Sequence, residues 1–230
     1  MLAGVCCFKH SSTPANRADR RGARPLLDPE VQNWESGIEL TISGCTFFRN
    51  YARVDCDELE RWAEGALEGF WKPHLYPRGV EQVRRHQEQG HRTILVGGGM
   101  EQVLQPLARW LGVDLLVAAE VQIDGTCFTG RLIGGPLNGP AKAEATRRAA
   151  ASLDIDLDRS YAYTDSYHDS PFLAMVGHPV AVNPDRELRR KAEEEGWMVL
   201  KFDRPVALGD RVPLNRDWVT AATLTAAVGV

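Results

Sequence analysis

Tyr161-Ala162-Tyr163-Thr164-Asp165-Ser166-Tyr167-His168-Asp169-Ser170-Pro171-Phe172-Leu173 is the stretch whose reading decides the fold. An apolar run, Tyr161 to Tyr163, stops at an acidic pair, Asp165 and Asp169, after which Phe172, Leu173 and Val176 recur at helical spacing. The order is therefore strand, acidic turn, helix. In a parallel α/β sheet, ligands bind outside the carboxyl ends of the strands. Two carboxylates held there, with Ser166 between them, offer hard oxygen ligands to a small divalent cation such as Mg²⁺. The same residues suit a plainer task, because Asp165 or Ser166 would serve as the N-cap of the next helix. Both readings stand on this stretch alone.

Working outward, Thr93 to Val96 is a continuous apolar strand of the kind parallel sheets bury on both faces. Gly97-Gly98-Gly99 follows, and a helix from Met100 to Leu111 is stopped by Gly112. Glycines at such a junction either make a tight turn or bring backbone N–H groups to an anion at the helix N-terminus. Leu115 to Ala119 reads as another buried strand, and Val121 to Ile133 alternates around the hairpin signal Asp124-Gly125. Gly134 to Lys142 has the glycines of a P-loop, but Pro140 stands where its lysine belongs and no Ser or Thr follows it, which excludes that motif. Lys142 falls in the first turn of a helix, Ala141 to Ser152, where a cation opposes the helix dipole. A bound phosphate resolves that conflict; a solvated lysine is the alternative. Beyond the acidic turn come a strand, Pro179 to Val182, a charged helix, Arg186 to Glu195, and a last strand, Trp197 to Leu200. Alternating strands and helices from Thr93 to Leu200 predict an α/β fold, a doubly wound, Rossmann-like parallel sheet with helices on both faces.

The N-terminal third is less regular. Val5 to Phe8 predicts a short buried strand, and Lys9 to Arg24, rich in arginine and poor in apolar residues, reads as loop. Ile38, Leu40 and Ile42 alternate like a strand. Asp55 or Asp57 can cap a helix whose face is Leu59, Trp62, Ala63, Ala66, Leu67 and Phe70. Pro73 and Pro77 then break the chain before a helix from Gly79 to Gln89. The expected organisation is a core from residues 1–8 and 71–204, an irregular segment with a small helical cap remnant over 9–70, and a tail over 205–230. A net charge of −4 gives no sign of nucleic-acid binding, and no apolar run approaches a membrane span. Five cysteines without a Cys-x-x-Cys argue against a disulfide framework or a zinc site and suggest a reducing cytoplasm.

Backbone amides, one lysine and two carboxylates thus follow one another at successive strand ends. The ordered set resembles the haloacid dehalogenase superfamily of phosphohydrolases, in its phosphoserine-phosphatase-like branch. The resemblance runs from about Trp71 to Phe202. It rests on His91 to Gly98, Leu107 to Asp114, Asp124-Gly125 to Gly130, Lys142, Tyr163 to Asp169, and Val182-Asn183-Pro184-Asp185. It implies Mg²⁺-dependent hydrolysis of a small phosphomonoester through an aspartyl-phosphate. Lys142 matches the lysine that neutralises phosphate and nucleophile, and Asp165 and Asp169 match the metal-binding acidic pair. The chain departs from the pattern twice. Gly97 replaces a phosphate-holding Ser or Thr, leaving Gly97 and Gly98 to offer only backbone amides. Where the family has Asp-x-Asp-x-Thr, the register falls on Lys9-His10-Ser11-Ser12-Thr13, with Lys9 at the nucleophile and Ser11 at the acid/base position. Losing both aspartates should erase most of the rate, since residues acting as a unit fail as a unit. The expectation is an impaired phosphatase or a non-catalytic phosphate-binding or scaffold protein, unless the N-terminus is an altered reading of a normal one. Substrate identity and oligomeric state are not legible.

Overall fold

The computed structural model describes residues 3–6 and 47–202. The strands are β1 (Ala3–Cys6), β2 (Arg92–Met100), β3 (Leu115–Asp124), β4 (Cys127–Ile133), β5 (Tyr161–Thr164), β6 (His178–Val182) and β7 (Met198–Leu200). They form one sheet in the order β4-β3-β2-β1-β5-β6-β7. Neighbours pair in parallel except β3 and β4, which form the antiparallel hairpin expected around Asp124-Gly125. The doubly wound parallel sheet read from the sequence is the observed fold.

The helices are α1 (Cys56–Ala66), α2 (Lys72–His74), α3 (Pro77–Glu88), α4 (Glu101–Leu111), α5 (Gly139–Ser152), α6 (Ser170–Leu173) and α7 (Arg186–Glu194). Side chains of a strand alternate between faces, and that alternation assigns the helices to layers. Ile94, Val96, Ala162 and Ala181 face one way and pack with Ala143, Phe172, Leu173, Leu188 and Ala192 of α5, α6 and α7. On the opposite face Leu95 packs with Leu107, Ala108 and Leu111 of α4, and Tyr163, Val180 and Val182 pack with Val83 of α3. Phe172 and Leu173 are fully excluded from solvent, so trimming Phe172 to alanine should cost about 3–5 kcal/mol.

Element ends differ from expectation for local reasons. Pro77 starts α3 at its first position, where a missing N–H costs nothing, and Pro73 sits likewise in the first turn of α2. The β1 strand is described two residues earlier than expected; Cys7 and Phe8 lie outside the described residues, as do Ile38, Leu40, Ile42 and the tail from residue 203. A π-turn, Leu67–Trp71, joins α1 to α2. Leu59 of α1 packs with Met100, Val121 and Phe128 beside the β3–β4 hairpin, and Glu64 pairs with Arg109 of α4. Cys56 and Cys127 carry free thiols. No helix among the described residues is long and apolar enough to cross a membrane.

Strand order reverses around β1, with β2 and β3 to one side and β5, β6 and β7 to the other. In such sheets the crevice beyond the carboxyl ends at that switch point is where ligands bind. The ends of β2 and β5 flank it, one on each side of β1.

Candidate active site

Thr164 ends β5, and Asp165 is the first residue beyond it. Tyr167–Asp169 forms a 3₁₀ turn that leads directly into α6. Ser166 occupies the N-cap position of the turn, and Asp169 that of α6, yet neither side chain makes a capping hydrogen bond. The cap arrives from elsewhere: Tyr167 N–H donates to Asp185 Oδ2 at 2.8 Å. Capping by Ser166 is thereby set aside, and Asp165, a half-buried residue, stands at the carboxyl end of β5.

Lys142 is not a solvated surface lysine. It is 4% exposed, and its Nζ donates to Asp169 Oδ2 at 2.7 Å. Thr164 Oγ1 donates to the same oxygen at 3.2 Å, and Asp169 is 1% exposed. Two further close approaches bring the loops together. A Cβ on Gly139, the first residue of α5, would stand 3.2 Å from the carbonyl oxygen of His168. Added to Gly98, it would stand 3.3 Å from that of Leu137. The Gly98 backbone, the loop before α5 and the acidic turn are therefore in contact.

Gly97 and Gly98 need a correction in shape. The sequence suggested a turn or anion cradle between strand and helix, but β2 stays extended through Met100 and α4 begins at Glu101. The pairing of β2 with β3 shifts register between Val96 and Met100, and none of Gly97, Gly98 and Gly99 has a positive φ. What these glycines supply is room: a Cβ at Gly97 would lie 2.6 Å from Leu104 Cδ1. Lys9 and Ser11 lie outside the described residues.

The donors at this site are carboxylate oxygens, which suit a hard cation such as Mg²⁺. One oxygen of Asp169 is already committed to Lys142 and Thr164. Among the described residues no group of three or more His, Cys, Asp or Glu side chains is placed to hold a metal ion. The described residues that could hold such an ion are Asp165 and the second oxygen of Asp169, two carboxylates whose oxygen chemistry fits Mg²⁺. Mg²⁺ usually keeps several waters in its shell and takes only one or two protein carboxylates.

Behind the acidic turn lies a polar network that the sequence did not announce. His86 Nε2 is 2.7 Å from Tyr163 Oη, His86 Nδ1 is 2.8 Å from His91 Nδ1, and Gln82 Nε2 donates to Tyr163 Oη at 3.0 Å. Burial, and then the neighbouring His91 and Arg85, lower the His86 pKa to about 4. Gln82, His86 and His91 are close in sequence, but Tyr163 lies 77 residues from His86, so periodicity carries no trace of the link. Asp185 was equally hidden as a site residue, although an Asp three residues before Leu188 is a helix-start signal.

A largely parallel sheet with a lysine, two carboxylates and glycine backbone beside its switch point places the chain among the doubly wound α/β proteins. The chain belongs to the haloacid dehalogenase-like hydrolase family, whose profile matches residues 20–174. It is 43% identical to the inhibition of morphological differentiation protein of Streptomyces azureus, over 61% of this chain and 51% of that one. It is 31% identical to the histidinol-phosphatase of Neisseria meningitidis, over 80% of this chain and 87% of that one. The chain thus spans about half the length of the first relative and most of the second. Among solved structures, a Bordetella pertussis protein of unknown function superposes with a TM-score of 0.64 at 30% identity, covering 70% of this chain and 73% of its own. A probable phosphoserine phosphatase from Vibrio cholerae gives 0.60 at 17% identity, over 97% and 66%, and shares the fold.

Proposed function

We propose that this chain binds a small phosphomonoester and Mg²⁺ at the carboxyl ends of β2 and β5, in the manner of a haloacid dehalogenase-type phosphatase. One observation supports it above the rest: Lys142 and Asp169 form an ion pair that is almost fully excluded from solvent, at the topological switch point. Burying a lysine is costly unless its charge is used or matched. Here the ammonium group reaches the acidic turn, where it would also meet an incoming phosphate. Lys142 neutralises phosphate charge, Gly97 and Gly98 offer backbone N–H groups, and Asp165 with Asp169 holds the metal. Bound Mg²⁺ would supply Lewis-acid stabilisation of a phosphate oxygen.

Turnover in this reading is low. Lys9 to Thr13 contains no aspartate where the family pattern has its nucleophile and its acid/base. The alternative is a non-catalytic relative that binds a phosphorylated ligand or serves as a scaffold, and the absence of those aspartates is what favours it. The relatives named as histidinol-phosphatase and phosphoserine phosphatase point to a small phosphorylated metabolite as ligand. The test is Mg²⁺-dependent hydrolysis of a generic aryl phosphate by the purified chain, with Asp165→Asn as control. Activity on the order of 1–10³ s⁻¹ that disappears in the control would show a nucleophile outside Lys9–Thr13. Residual activity far below that range, with phosphate-ester binding retained, supports the impaired enzyme.

A further inference from the structure

We propose that Asp185 is a positioning residue of the phosphate and metal site, acting through the acidic turn that carries Asp165 and Asp169. The proposal rests on the phosphatase-type reading above and adds a residue to it.

Asp185 joins two elements with one side chain. Its Oδ1 accepts from Leu188 N–H at 2.7 Å, which caps α7. Its Oδ2 accepts from Tyr167 N–H at 2.8 Å, which caps the 3₁₀ turn from outside. Its own backbone N–H donates to the Asp165 carbonyl at 3.0 Å. The loop carrying Asp185 is fixed in its turn: Asn183, held at φ +45°, accepts from Phe202 N–H at 2.9 Å and donates from Nδ2 to Phe202 O at 3.0 Å. A 3₁₀ turn of three residues has few bonds of its own and poor hydrogen-bond geometry. Ser166, at its N-cap, makes no capping bond. Lys142 and Thr164 hold the Asp169 side of this turn, and Asp185 ties down its Tyr167 and Asp165 side. Outer partners of metal ligands act in this way, orienting the ligands they touch.

The rival is that Asp185 only caps α7. Asp185→Ser separates the two, because serine is a good N-cap but its single short oxygen cannot serve both Leu188 and Tyr167. Two readouts are taken on the full chain: hydrogen–deuterium exchange over residues 165–170 and 186–195, and calorimetric titration with MgCl₂. In Asp185→Ser, exchange should accelerate over 165–170 and stay as in the wild type over 186–195, with Mg²⁺ affinity falling about 10–100-fold. Asp185→Ala should accelerate both segments. Unchanged exchange over 165–170 in Asp185→Ser, or faster exchange there with undiminished Mg²⁺ affinity, would overturn the proposal. If the wild-type chain takes up no Mg²⁺, the metal reading fails on its own, and the exchange over 165–170 decides the role of Asp185.

Discussion

Lys142 Nζ stands 2.7 Å from Asp169 Oδ2, and the two side chains are only 4% and 2% exposed. A pair so fully withdrawn from water is weak evidence of stability, because desolvation offsets most of its attraction. Breaking it is another matter. Lys142→Met leaves the Asp169 carboxylate buried beside Thr164 without its cation and should lower stability by about 3–5 kcal/mol. Urea denaturation measures the loss. Adding Asp169→Asn removes the stranded charge and should recover much of it, so the double-mutant cycle should show a large coupling. A loss below about 1 kcal/mol for Lys142→Met alone would mean that the pair is solvated in solution, outside the range expected for a buried one.

The network behind the site predicts a pH dependence. Burial favours neutral His86, whose pKa falls from the ordinary 6.5 to about 4. In the unfolded chain His86 binds a proton as pH drops through 6.5; in the folded chain it does so only near 4. Its contribution is therefore fully present above about 6.5 and is lost as pH falls toward 4. The full difference is on the order of 3 kcal/mol. His91, also shifted downward by burial, adds a slope of the same sign. Melting temperature against pH for His86→Phe should be flatter than wild type between those limits. Parallel curves would show that His86 is not held neutral.

What was legible in the sequence followed from local pattern. Ile94, Leu95 and Val96 announced a strand buried on both faces, and Asp124-Gly125 announced the hairpin. The acidic turn was legible because an apolar strand ran straight into carboxylates. Lys142 was legible only through the family resemblance, because it is the fold that brings α5 against the turn after β5; the reach of Asp185 from the loop after β6 to Tyr167 left no trace in the pattern. Gly97 to Gly99 misled for a related reason: glycine signals both turns and close approach, and only the position of Leu104 shows that approach is the need here.

That position gives a third prediction. The family resemblance places a hydroxyl residue where this chain has Gly97, and Gly97→Ser would restore it. The new Cβ would fall 2.6 Å from Leu104 Cδ1, so the leucine, 9% exposed, has to turn aside. The single variant should lose about 1–3 kcal/mol, as overpacked sites do. Combining it with Leu104→Ala relieves the overlap, and the pair should lose less than the sum of the two single changes. Phosphate affinity, measured by calorimetry, should rise in the double variant over Leu104→Ala alone. A fully additive stability loss would show that Leu104 already moves freely.

The last prediction concerns Lys9, which lies outside the described residues and is argued from the sequence register alone. That register sets Lys9 where the family pattern has its nucleophilic aspartate, at the site that holds Asp165 and Asp169. If that register holds, exchanging a carboxylate for an ammonium group changes the local charge by two units, which would weaken the hold of the acidic pair on a metal. The expected outcome is weak Mg²⁺ binding by the chain as it stands and tighter binding by Lys9→Asp, both measured by calorimetric titration. Equal affinity in the two proteins would place Lys9 outside the site. The second aspartate of the pattern is tested by adding Ser11→Asp to Lys9→Asp. If the register holds, that chain should hydrolyse an aryl phosphate measurably faster than either single variant, because nucleophile and proton donor act as a unit and neither restores the rate alone. Its rate should remain limited by Gly97, which still lacks a hydroxyl, and should improve again when Gly97→Ser and Leu104→Ala are added.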